Sequence, residues 1–125
     1  MDNATLVDFD ISTGSQMLVA LDKAGLRVKV ALWAASSRYE DWKFIIASPK
    51  FDLEGRLPAY EQVAIALRGK FFNTLPPILI LKMKDPFIKD LRHTFSGVAS
   101  VEGMRLGGQS FGGNLIHNAY TYRIT

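Results

Sequence analysis

The sequence predicts an α+β fold: a mixed sheet of about five strands with three helices, in the order αββαβαββ, built as one domain over residues 1–125. Three observations predict it. Leu26 to Pro49 reads as two strands around a short polar turn. Three separate segments carry apolar residues at i, i+3, i+4 spacing, each with a capping or breaking residue beside it. The stretch Ile78 to Met83 is apolar on both faces, the pattern of a strand covered by helices front and back.

The first helix is expected from Asp10 or Thr13 to Ala24. Thr13 and Gln16 have capping-box spacing, Met17, Ala20, Leu21 and Ala24 form the apolar stripe with Leu18 beside it, and Gly25 suits the C-terminal left-handed position. Val7, Phe9 and Ile11 alternate with aspartates, so a short opening strand is the other reading of that segment. In the next strand Leu26, Val28, Val30 and Leu32 share one face, and from Ala31 to Ala35 both faces are apolar. Ser36 to Asp41 is the turn. Trp42, Phe44 and Ile46 share a face of the second strand, which Pro49 ends. Phe51 to Pro58 reads as a loop.

The second helix is expected from Pro58, with Tyr60, Val63, Ala64 and Leu67 as its stripe and Gly69 as its stop. After Pro76-Pro77, Ile78 to Met83 is expected in mid-sheet. Asp85 then caps a third helix with Pro86 as its first residue and Phe87, Ile88, Leu91 and Phe95 on its buried side, up to Ser96-Gly97. The remainder is glycine-rich: a strand near Val98 to Leu106, a loop from Gly107 to Asn114, and a last strand from Leu115 to Ile124. On that strand Ile116, Tyr120, Tyr122 and Ile124 are expected on one face.

Composition narrows the function classes. Hydrophobic residues are 48% of the chain and charged residues 22%, the balance of a folded globular domain. A chain of this length buries roughly two thirds of its unfolded surface without staples. There is no cysteine, which excludes disulfides, zinc–thiolate sites and thiol catalysis. No apolar run approaches the roughly 18 residues of a membrane span. The opening MDNATLVDFD is acidic where a signal peptide is basic, so the expected location is cytoplasmic. Residues 1–62 carry 7 basic and 9 acidic side chains, a balance of −2; residues 63–125 carry 8 and 3, a balance of +5. That asymmetry permits an anionic partner.

Each chemical motif meets a simpler structural reading. Gly108-Gln109-Ser110-Phe111-Gly112 has the G-x-S-x-G form of serine hydrolases, but no acid follows Ser110 and the sequel reads as a strand, so a hairpin turn is expected. The same glycines lack the Gly-Lys-Ser/Thr of a phosphate loop and the spacing of a dinucleotide fingerprint. Asp41-Trp42-Lys43 has the D-x-K form of a nuclease strand, yet the preceding strand offers Arg27 and Lys29 where a second acid is needed. The two histidines, His93 and His117, are too far apart for a close zinc motif, and His93 falls in the last turn of a helix, where it complements the dipole. No cofactor or metal is expected.

One positional argument points to a site. Ligands of open α/β sheets sit at the carboxyl ends of parallel strands. The strand at Ile78 ends in Lys82-Met83-Lys84, just before a helix N-terminus, so Lys82 and Lys84, with Arg92 and Arg105 on the same basic face, are the candidate anion- or partner-binding residues. Asp85 opposes this, since its carboxylate caps the same helix.

The stretches VALWAASSRYEDWKFIIASP (Val30 to Pro49) and AYTYR (Ala119 to Arg123) resemble segments of small bacterial proteins of unknown function. The resemblance implies a shared fold and no activity. The expected function is a non-catalytic protein-interaction or assembly module, a homodimer in its simplest form. Its support is the number of aromatics: Trp33, Trp42, Phe51, Phe71, Phe72, Phe111, Tyr120 and Tyr122. The second expectation is nucleic-acid or nucleotide binding by the basic C-terminal half, with Tyr120 to Arg123 stacking bases. The third is a small enzyme with an unrecognised site in a deep pocket.

Overall fold

The computed structural model describes residues 8–68 and 77–125. Ten elements run in the order α1 (Asp8–Lys23), β1 (Val30–Ser36), β2 (Tyr39–Ala47), α2 (Pro49–Glu54), α3 (Arg56–Leu67), β3 (Ile78–Ile80), α4 (Pro86–Thr94), β4 (Arg105–Leu106), β5 (Gln109–Phe111) and β6 (Asn114–Ile124). The class is α+β with a mixed sheet, as expected. The sheet order is β3-β2-β1-β6-β4, with β5 also paired to β6. β2 and β3 are parallel and the remaining pairs are antiparallel.

The helices cover both faces. Met17, Leu18 and Leu21 of α1, Phe51 of α2, and Ala59, Val63 and Leu67 of α3 pack on the face that presents Trp33, Trp42, Phe44 and Ile46. Phe87, Ile88 and Leu91 of α4 pack on the other, against Val30, Leu32, Ile45, Ile116 and Ile124. β1 lies between β2 and β6 and is buried at all seven positions, because Trp33 and its neighbours fill one layer while Leu32 and its neighbours fill the other. The all-apolar reading of Ala31 to Ala35 stands on this.

Ile78 to Met83 departs from its expected place. β3 covers only Ile78 to Ile80 and, among the described residues, forms an edge of the sheet, not its middle. The two-faced apolar pattern has a different cause. Ile78 and Ile80 pack toward α1 and α3, and Leu79, Leu81 and Met83 pack toward α4. Coverage above and below makes a strand apolar whether or not a second neighbour pairs with it. On the side turned away from β2, the Ile80 N–H donates to the Tyr60 hydroxyl at 2.9 Å.

Other expectations are corrected locally. Phe51 to Pro58 is not a loop. Ser48 caps α2 by accepting from the Lys50 N–H at 3.2 Å, Pro49 opens that helix, and α3 already begins at Arg56. α1 includes Thr13, which is buried inside the helix, and Gln16 donates to Ser12 instead of completing a box. Asp8 to Ile11 is helical, so the opening-strand reading does not hold there. β1 starts at Val30 because Arg27 adopts a left-handed φ of 55° and breaks the extended run from Leu26. The strand expected near Val98 is reduced to Arg105–Leu106. Register irregularities in the β1–β6 pairing split the last strand's apolar set: Tyr120 and Tyr122 face α1, whereas Ile116 and Ile124 face α4. Gly69, Phe71, Phe72 and Pro76 lie outside the described residues.

The third expected helix forms as α4 as read, with Asp85 accepting from the Phe87 N–H at 2.9 Å. The glycine-rich segment turns the chain back as expected, but Gly107 to Asn114 is not all loop: Gln109–Phe111 forms β5 and Asn114 already belongs to β6. Phe111 pairs with Asn114 across a two-residue turn, Gly112-Gly113, with φ of 57° and 80°. Ser110 therefore sits on an exposed hairpin strand and not on a nucleophile elbow. The chain's C-terminal strand is tied back to α1. Arg123 makes a paired contact with Asp22 at 3.0 and 2.9 Å and also donates to the Val28 carbonyl. Hydrogen bonding to Asp22 raises the Arg123 guanidinium above its ordinary value, against the partial burial that lowers it.

A candidate anion site at the carboxyl ends of the parallel strands

β2 and β3 end side by side, with Ile46 level with Ile80 and the Leu81 N–H donating to the Ile46 carbonyl at 3.0 Å. From there β2 turns into α2 and β3 runs on toward α4. A cavity of about 370 Å³ opens where these exits meet the start of α3. Its floor is apolar, formed by the buried Phe51, Ala59 and Ile80. Its mouth carries three exposed cations: Arg56 from the first turn of α3, and Lys82 and Lys84 from the β3–α4 connection.

The local fold explains why these three meet. Lys82 and Lys84 flank Met83, whose N–H is held by both Asp52 carboxylate oxygens at 3.2 and 3.1 Å, so α2 anchors the connection that carries them. Gly55 lets α3 start one residue after α2 ends, which brings Arg56 to the same rim. No side chain caps α3 and no acid lies in its first turn, so the positive end of its dipole is uncompensated beside Gly55. Two carboxylates line the cavity, Asp52 and Asp85, and each is engaged by a backbone N–H, from Met83 and from Phe87. Among the described residues no acid forms an ion pair with Arg56, Lys82 or Lys84.

Of the four residues expected from sequence, two come together. Lys82 and Lys84 share this rim. Arg92 stands at the far end of α4, where its Nε donates to the Thr125 carbonyl oxygen at 2.7 Å. Thr125 follows β6, three strands from β3, or roughly 14 Å at ordinary strand spacing. Arg105 is on β4, the opposite edge of the sheet, with its guanidinium 5.2 Å above the Tyr120 ring. Arg56 was not among the expected residues. Nothing local marks it, since it lies 26 positions before Lys82 and only the α2–α3 corner brings the two together.

The other expectations fall on engaged or dispersed groups. Trp33, Trp42, Phe51 and Phe111 are buried in the two core layers, and Tyr120 and Tyr122 pack against one of them. These aromatics fill the interior and form no exposed patch. The Tyr122 hydroxyl donates to the Ile11 carbonyl at 2.7 Å. Among the described residues no group of three or more His, Asp or Glu is placed to hold a metal. None of their helices is long and apolar enough to cross a membrane.

Fold and site together define an α+β domain with a cation-rimmed cavity at the carboxyl ends of its parallel strand pair. No protein-family model, no curated protein and no solved structure matches the chain.

Proposed function

We propose that the protein is a non-catalytic binding domain that holds a small anion at Arg56, Lys82 and Lys84. One observation carries this reading: three cations without acidic partners among the described residues ring a single cavity, at the place where open sheets present strand ends and helix starts to ligands. An anion about 4 Å from one such cation gains about 1 kcal/mol in water, and more where the cavity wall displaces solvent. The wall supports binding over catalysis. Among the described residues it offers no hydroxyl and no imidazole, and both of its carboxylates already accept backbone N–H groups.

Titration calorimetry with pyrophosphate at low ionic strength tests the reading. Binding is expected to weaken as salt is added. Replacing both lysines, Lys82→Gln with Lys84→Gln, is expected to reduce affinity at least about tenfold with the melting temperature unchanged, since both side chains are exposed. Undiminished affinity in the double variant would refute it.

A second reading, docking of a protein or a second copy, is favoured by a separate surface. Leu53, Leu57 and Ile65 on the outer side of α2 and α3 are 88%, 72% and 61% exposed, more apolar surface than those helices need to show. Sedimentation at micromolar concentration would show an assembly if this surface serves as an interface, and a clean monomer would remove self-association. Base stacking by Tyr120 to Arg123 has the least support, because β6 lies inside the sheet and Arg123 is bound to Asp22.

A further inference from the structure

We infer that the cavity takes an amphipathic anion, with a phosphate or carboxylate head at the mouth and an apolar body on the floor; this rests on the anion-binding reading above. The argument starts from size. A water molecule occupies about 30 Å³ of liquid, so a cavity of about 370 Å³ is far larger than a bare oxyanion requires. Composition then divides the cavity in two. The cationic side chains, Arg56, Lys82 and Lys84, are all exposed at the mouth. Phe51, Ala59 and Ile80 beneath them are buried and carry no polar side-chain atom.

A purely inorganic ion would use the mouth alone. A purely apolar ligand would use the floor and gain nothing from three cations. Only a molecule with both parts satisfies both halves of the wall. The head is an oxyanion because a guanidinium presents paired N–H donors that match carboxylate and phosphate oxygens, with the two ammonium groups adding charge. The acidic wall sets a limit on that head. Asp52 and Asp85 lie on the same cavity, so a head of modest charge seated toward Arg56 and the lysines is favoured over an extended polyanion.

A homologous series tests this on the intact chain: inorganic phosphate, then methyl, butyl and hexyl phosphate, with hexanoate and adenosine monophosphate as further arms. Affinity is expected to rise with alkyl length by up to roughly fourfold for each methylene fully buried, until the floor is covered. A nucleotide arm stronger than the alkyl arm identifies an aromatic body, and the reverse identifies an aliphatic one. Either supports the inference. Equal affinity for inorganic and hexyl phosphate overturns it and leaves the anion-binding reading intact. No binding of any member, phosphate and pyrophosphate included, overturns both.

Discussion

Replacing Gly112 with alanine is expected to cost about 2–4 kcal/mol of stability, against about 1 kcal/mol for the same change at Gly113. Both glycines form the turn between β5 and β6 with positive φ, so both substitutions pay the strain of a left-handed backbone. The difference is what a side chain would meet. A Cβ on Gly112 would lie 2.4 Å from the Pro86 carbonyl carbon and 2.5 Å from the Phe87 nitrogen, backbone atoms of the first turn of α4 that cannot swing aside. A Cβ on Gly113 meets nothing within 4 Å. The Gly112 N–H is further held by the Asp90 carboxylate at 2.8 Å, so the hairpin and α4 are locked together. Since Asp85 and Pro86 also line the cavity, Gly112→Ala is expected to weaken anion binding as well as stability. Denaturant midpoints of the two variants measure the difference, and equal losses would show that the hairpin is not seated on the helix.

Phe44→Ala is expected to cost about 3–5 kcal/mol. Phe44 is fully buried on β2, facing the α1 and α3 layer. Its ring meets Trp33 edge-on at 5.2 Å and Tyr122 at 5.8 Å, joining three adjacent strands through one aromatic cluster. Edge-to-face pairs contribute beyond area burial. Phe44→Leu, which keeps most of the volume, is expected to lose less than half as much. A loss below about 1 kcal/mol for the alanine variant would mean that this layer is not the structural centre of the sheet.

What could be read from the sequence divides along a physical line. Features set within a few residues were legible. Asp85-Pro86 announced the cap of α4, the glycines between Gly107 and Asn114 announced a turn, and the apolar pattern of Leu26 to Pro49 announced two paired strands. Features set by distant neighbours were not. Apolar residues on both faces of Ile78 to Leu81 reported helices above and below, and were silent on whether a strand lay on each side. α2 stayed hidden because Ser48-Pro49 ends a strand and starts a helix with the same two residues, and only Phe51 of that short helix is buried. The site was half legible for the same reason. Lys82 and Lys84 are two apart in the turn that the Asp85 N–H closes on the Lys82 carbonyl, whereas Arg56 joins them through the α2–α3 corner. Arg92 and Arg105 contributed to the basic count of the C-terminal half, but Arg92 lies in the last turn of α4, away from the helix start beside the lysines, and Arg105 lies on the opposite edge of the sheet.

The anion site is tested most directly by amide chemical shifts followed during titration with pyrophosphate. The expected perturbations centre on Gly55, Arg56 and the segment from Leu81 to Asp85, with Arg105 and Arg123 unmoved. Shifts centred instead on Arg92, Arg105 or Arg123, or spread evenly over the basic C-terminal half, would contradict the site.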